Sequence, residues 1–218
     1  MQGFKNDLFN IDFEDGLFES IIEHLKKCSF EMKADCIETG NWLYNHEDKI
    51  TNRLVEKYLN KGPAIMRFTL QSPESFMQDN DCYRGRTDIK VVSQNWFRDT
   101  NDYYIIECKR IDGKITLNKE YIINGISRFV IQPPKYPSFN KRNIMFGYVV
   151  QEINIPNNTI EIERMQKTMI DTVSSDGLVL KNYLDTEYYI YSCKYTLGSE
   201  CIELRHLFYN FSDCICNR

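Results

Sequence analysis

TDIKVV (87–92) and DYYIIECKR (102–110), with a turn-rich stretch between them, decide how this chain is read. Both runs are rich in β-branched and aromatic residues, and the polar connection predicts a β-hairpin. Side chains two apart in a strand share a face, so Glu107 and Lys109 project together while Cys108 points the other way. Once the two runs pair, Asp88 lies across from them on the neighbouring strand. Two carboxylates and an ammonium then meet at the end of a strand whose lead-in, Tyr103-Tyr104-Ile105-Ile106, has interior character. A buried ionised carboxylate is costly unless something pairs with it. Two carboxylates form a hard-oxygen site suited to Mg²⁺, which keeps several of its waters and accepts phosphate oxygens. Such an ion polarises a phosphodiester and acidifies bound water, while a nearby Lys orients that water or steadies developing charge.

Upstream, HEDKITNRLVEKYLN (46–60) carries Ile50, Leu54, Val55 and Tyr58 at helical spacing. Glu47 and Asp48 occupy its first turn, where the helix dipole favours acids, and Lys61-Gly62-Pro63 predicts its end. An earlier helix is expected to be capped by Asp15 and to bury Phe18, Ile21, Ile22 and Leu25, leaving residues 1–14 as a loosely structured segment. AIMRFTLQ (64–71) reads as a strand, followed by a polar loop holding Pro73, Asp79, Asn80 and Asp81. Downstream, TLNKEYIINGISRFVI (116–131) shows a helical stripe and IMFGYVVQEI (144–153) reads as a strand. NTIEIERMQKTMIDTV (158–173) reads as a helix, and EYYIYSCKYTL with SECIELRHLFYNF (187–211) as a second hairpin. This order predicts one mixed α/β domain over 15–218, its central mixed sheet flanked by helices.

Composition narrows the classes. At 218 residues, with 42% hydrophobic and 27% charged residues, the chain has ordinary globular proportions. No apolar run approaches the ~20 residues of a membrane span, and the N-terminus lacks the layout of a signal peptide, so a cytoplasmic location without membrane contact is expected. The 8 cysteines include no CxxC pair and accompany only 3 histidines, so buried reduced thiols are a better reading than disulfides or zinc, Cys214-Ile-Cys216 included. A net charge of −4 argues against a protein that coats duplex DNA through phosphate contacts alone. GxSxG, GxxxxGK[ST], GxGxxG and HExxH are all missing from the sequence.

Asp88, then 18 residues, then Glu107-Cys108-Lys109 behind four apolar or aromatic residues resembles the PD-(D/E)xK nuclease superfamily, with its restriction-endonuclease-like fold. The Pro of that name is replaced by Thr87. Glu47, early in a helix ahead of Ile50-Thr51, resembles the helical acid that joins the metal in this fold. YIINGISRF (121–129) and Met145-Phe146-Gly147-Tyr148 are similar to the helix and strand after the catalytic hairpin in bacterial restriction and phage-defence nuclease-like proteins. The resemblance covers a catalytic core of roughly 45–150. It implies a Mg²⁺-dependent endonuclease, with Mn²⁺ able to substitute, acting on DNA in antiviral defence. It further implies that Asp88, Glu107, the Cys108 carbonyl and Glu47 hold the metal and that Lys109 positions or activates the attacking water.

Each residue also has a plainer reading. Glu107 and Lys109 could form an edge-strand ion pair worth ~0–1 kcal/mol. Asp88 could simply start a strand, Glu47 could serve only the helix dipole, and Glu56 falls on the opposite, solvated face. Arg84 and Arg86, just before Asp88, are candidate phosphate contacts or solvated loop residues. Arg128 shares a helix face with Tyr121 and Gly125; it is a further nucleic-acid candidate, and Gly125 implies close approach by the sheet. His206 reads as a satisfied core histidine. The alternatives are a catalytically inactive nuclease-like module that binds nucleic acid or a protein partner, and an RNA-directed nuclease. So short a chain leaves little room for a separate recognition domain, so a partner protein or a homodimer is a candidate source of specificity.

Overall fold

The computed structural model describes residues 7–61, 66–79, 81–93, 103–136, 141–170 and 174–216. It opens with helix α1, Asp7–Thr39. Phe18, Ile21, Ile22, Leu25, Cys28, Met32 and Cys36 recur at three- and four-residue intervals on its buried face. The expected start at Asp15 is corrected: residues 7–14 already belong to the helix, and residues 1–6 lie outside the described residues. No proline interrupts 7–15, so an established downstream helix propagates backwards at little cost. Asp15 is therefore an interior helical residue, and its carboxylate pairs with Arg142.

Strand β1 (Leu43–Tyr44) precedes helix α2 (Glu47–Lys57), which ends in a 3-10 turn at Leu59–Lys61. The expected stop at Gly62-Pro63 falls outside the described residues. Strand β2 (Met66–Leu70) follows as expected. The polar loop expected after it is instead a hairpin of β3 (Pro73–Met77) and β4 (Cys82–Arg86). Its turn-forming residues hid it. Pro73 is tolerated because it stands at the first position of an edge strand, where no ladder N–H is required.

Strands β5 (Ile89–Ser93) and β6 (Tyr103–Ile111) form the expected antiparallel hairpin, with Ile89 opposite Ile106 and Val91 opposite Tyr104. Its connection, 94–102, lies outside the described residues. Helix α3 (Ile115–Tyr121), a π-helical turn (Ile122–Ile126) and α4 (Ser127–Val130) follow one another without a break. A Cβ on Gly125 would overlap Met145 Cε and lie 3.6 Å from Lys109 Cγ. The close approach expected at Gly125 is thus to the sheet.

Strand β7 (Arg142–Val149) and helix α5 (Ile155–Met169) come next, the helix capped by the Asn154 side chain, which accepts the Asn157 N–H. Then follow β8 (Ser174–Ser175), β9 (Val179–Leu184), β10 (Tyr188–Leu197), β11 (Glu200–Asn210) and β12 (Ile215–Cys216), which pairs with β1.

The main sheet has 8 strands in the order β2-β5-β6-β7-β11-β10-β8, with β9 also on β10. The β6–β7 and β7–β11 pairs are parallel and the pairs outside them antiparallel, so the domain is mixed α/β with a central mixed sheet. Strands β6 and β7 are buried on both faces, which explains why their sequences are continuously apolar rather than alternating. Tyr104, Ile106 and Cys108 pack into the core shared with α1 and α2. Tyr103, Ile105 and Ile111 pack into the opposite core, against the α3–α4 segment and α5. Each fully buried Ile or Phe in these layers contributes ~1.5–3 kcal/mol, and together they fix where the polar end of β6 emerges. No disulfide joins the cysteines among the described residues. Cys82 and Cys201 are exposed rather than buried, because each lies at the exposed turn end of its strand.

Candidate active site

The β5–β6 ladder ends at the Ile89–Ile106 pair, while β6 continues for five more residues, to Ile111. The N–H groups of Cys108 and Arg110 on that side therefore lose their backbone partners. Two carboxylates replace them. Asp88 Oδ2 accepts the Cys108 N–H at 2.7 Å, and Glu47 Oε2, from the first turn of α2, accepts the Arg110 N–H at 3.1 Å. Charge-assisted bonds of this kind are roughly twice as strong as neutral ones and hold both acids in fixed orientations.

Lys109 lies at the centre. Its Nζ donates to the Cys108 carbonyl at 2.6 Å, Glu107 Oε1 at 2.8 Å and Glu47 Oε1 at 2.9 Å, with Asp88 Oδ2 at 3.5 Å. Glu47 and Lys109 are 62 positions apart in the sequence. Glu107 is 0% exposed. Its Oε1 also takes a 2.6 Å bond from Arg128 Nη1, and its Oε2 lies 3.0 Å from the Tyr136 hydroxyl. That hydroxyl accepts from Arg128 at 2.6 Å and is 2.7 Å from the Arg86 carbonyl, so its single proton is shared between that carbonyl and Glu107.

Burial and then Asp88 push the Glu107 carboxyl above its ordinary value, against the downward pull of Lys109 and Arg128, which both donate to it. Burial alone would lower Lys109, but Glu107, Asp88 and Glu47 outweigh it and hold the ammonium above its ordinary value. Lys109 thus serves as a hydrogen-bond donor to these groups. Burial, reinforced by Glu107, raises Tyr136 as well, so it stays a neutral phenol.

The cluster opens into a cleft of about 380 Å³ walled by Glu47, Asp88, Lys109 and Tyr136, with Arg84 and Arg86 at its rim. All the expected catalytic and metal residues, Asp88, Glu107, Lys109, the Cys108 carbonyl and Glu47, are brought together. Arg84 and Arg86 are exposed and enter no ion pair among the described residues. Arg128, a candidate nucleic-acid contact, also lines the cleft and pairs through Nη1 with Glu107 and Tyr136. Its helix face lies against the sheet, where an unpaired buried carboxylate outcompetes solvent for the guanidinium. Tyr136 was not anticipated; its only trace in the sequence is an aromatic residue inside the proline-rich run Pro133-Pro134-Lys135-Tyr136-Pro137. His206 is buried, with Nδ1 2.9 Å from the Tyr121 hydroxyl; it stands level with Glu107, two strands away across Met145. Its Nε2 has no partner among the described residues, so the expected full satisfaction is only half met.

Among the described residues, no three acidic, histidine or cysteine side chains stand ready to hold a metal ion. The oxygens close around an ammonium instead. The donor set still has the right chemistry for a hard cation, since three carboxylates and a carbonyl converge on one positively charged atom. The chain matches no family model, no curated protein and no solved structure.

Proposed function

We propose that this chain is a metal-dependent nuclease of the PD-(D/E)xK type with a restriction-endonuclease-like fold. The observation that carries the reading is the convergence of Glu47, Asp88, Glu107 and the Cys108 carbonyl on the single cationic point at Lys109 Nζ. Asp88, Glu107, the Cys108 carbonyl and Glu47 would hold Mg²⁺ or Mn²⁺, which would polarise a phosphodiester and lower the pKa of bound water.

The chain's own groups supply the rest. Lys109 positions or activates the attacking water, or donates to a phosphoryl oxygen as charge develops. Arg128 and Tyr136 keep Glu107 oriented and offset the cost of burying it. Arg84 and Arg86 at the cleft rim offer guanidiniums to the flanking phosphates. DNA as substrate, and foreign DNA in a bacterial cytoplasm as target, rest on the resemblance.

One observation favours a second reading. Lys109 already satisfies every one of these oxygens, as expected of an inactive nuclease-like module that binds nucleic acid or a partner protein. The two are separated by calorimetry with Mn²⁺ and a cleavage assay on plasmid, single-stranded DNA and RNA. Wild type is run beside Asp88→Ala and Lys109→Ala, both checked for folding. Metal binding with cutting lost in both variants supports the nuclease; absence of both leaves the binding module.

A further inference from the structure

We propose that the aromatic face of the β3–β4 hairpin is a stacking platform for unpaired bases, making single-stranded nucleic acid, not intact duplex, the substrate presented to the cleft. The inference deepens the nuclease reading above and rests on it for the chemistry at the cleft.

Phe76 and Tyr83 are cross-strand partners in the hairpin, with ring centroids 5.2 Å apart and planes at 60°. They are 51% and 53% exposed, so two large rings stand in solvent on a small sheet outside both hydrophobic cores. Every base has a π-face, and a strand with unpaired bases can lay those faces on such rings. A duplex keeps its base faces inside its own stack.

The hairpin is fixed to the candidate site. Glu74 on β3 is buried, bonded to the Tyr103 hydroxyl at 2.5 Å and to Lys90 Nζ at 3.2 Å. On β4, the Arg86 carbonyl accepts from the Tyr136 hydroxyl that also reaches Glu107. Gly85 lets the Tyr136 ring lie flush on the strand, because a Cβ there would come within 3.0 Å of it. Strand alternation puts Tyr83 on the same hairpin face as Gly85, and about 10 Å along the strand from Arg86.

The charge pattern agrees. Arg84 and Arg86 follow Tyr83 along the same strand and project from the opposite face of this two-stranded hairpin, where they line the cleft. Both are exposed and without ion pairs among the described residues, although Glu47, Asp48 and Asp88 line the same cleft. Guanidiniums left unpaired beside acids are placed for an anion arriving from outside, and two phosphates of one strand meet that requirement. A net charge of −4 is too negative for duplex binding through phosphate contacts alone, whereas stacking adds affinity that needs no further positive charge.

The test is fluorescence anisotropy of the full chain in EDTA with a labelled single strand and the duplex of the same sequence, each as DNA and as RNA. Wild type should bind the single strand at least several-fold more tightly. Phe76→Ala/Tyr83→Ala should lose about 10-fold or more on the single strand and little on the duplex. Tyr83→Phe should retain binding, and Arg84→Ala/Arg86→Ala should flatten the salt dependence. Thermal melts confirm that each variant is folded. Equal affinity for both forms, undiminished single-strand binding by the aromatic variant, or no nucleic-acid binding at all overturns the proposal; in the last case the exposed rings belong to a protein contact. Ring-dependent single-strand binding without metal-dependent cutting leaves the platform standing and removes the nuclease. Duplex cutting indifferent to Phe76 and Tyr83 does the reverse.

Discussion

Asp88 Oδ2 accepts the Cys108 backbone N–H at 2.7 Å, just beyond the last β5–β6 pair. The acid takes the place of a missing strand, and Glu47 repeats the arrangement one step along, at Arg110. Glu47 accepts the backbone N–H through Oε2 and presents Oε1 to Lys109, whereas Asp88 turns the same Oδ2 toward both donors. Strand-edge hydrogen bonding and the candidate chemistry therefore share the same side chains.

Replacing Lys109 removes the cation at the centre of three carboxylates. Lys109→Ala should lower stability by ~3–5 kcal/mol, the usual cost of leaving buried charge without its partner. Millimolar Mg²⁺ or Mn²⁺ should restore much of that loss, raising the variant's Tm more than the wild type's. If cleavage is present in the wild type, it should fall by about 10²–10³-fold in the variant. Melting curves with and without metal check the stability claim; equal metal shifts for both proteins count against the site.

The Tyr136 hydroxyl joins Arg128, Glu107 and the Arg86 carbonyl. Tyr136→Phe keeps the ring against Gly85 but leaves these groups short of a partner. The expected loss is ~1–3 kcal/mol, a Tm drop of about 2–4 °C for each kcal/mol. Differential scanning calorimetry measures it, and an unchanged Tm would show that water substitutes for the hydroxyl.

Two buried glycines should respond differently to alanine. At Gly147 a Cβ would lie 2.5 Å from the Phe208 ring and 3.4 Å from Ile111 Cγ1, inside the packed sheet. At Gly125 the obstacle is the flexible end of Met145, and alanine also gains helix propensity. Gly147→Ala should cost ~1–3 kcal/mol or more, and Gly125→Ala should be within about 1 kcal/mol of neutral. Urea unfolding of the two variants side by side decides it.

Acid should weaken the fold through two groups that do not line the cleft. Burial alone would raise Glu203, but hydrogen bonds from Arg205 and Ser192 and the charges of Arg205 and Arg142 outweigh it and hold the carboxyl at about 2. Because the folded value lies below the unfolded 4.5, its contribution is complete above about pH 4.5 and is lost as pH falls toward 2. Burial lowers His206 to about 3, so the unfolded chain takes up a proton below pH 6.5 that the folded chain refuses, and stability falls in the same direction. The difference between wild type and Glu203→Gln, on the order of 1–3 kcal/mol at pH 7, should vanish as pH approaches 2. Urea midpoints from pH 7 to 2.5 test it; a constant difference would refute the assignment.

What could be read from the chain alone follows from local periodicity. The two-residue repeat put Glu107 and Lys109 on one face and Cys108 on the other, and the 3.6-residue repeat located α2 and the α3–α4 segment. The mixed α/β class followed from the order of those elements. Local signals misled wherever neighbours overruled them. Turn-forming residues concealed β3 and β4, and β9, exposed at all six positions, shows no alternation because neither of its faces is buried. The site itself is long-range. Asp88 was legible from the pairing of the two runs and Glu47 only through the resemblance, whereas nothing local records that Arg128 and Tyr136 reach Glu107 from two further segments. Packing two helical layers against a sheet buried on both faces left a truncated ladder and a desolvated carboxylate at one spot, and both had to be satisfied by groups the tertiary structure brought there.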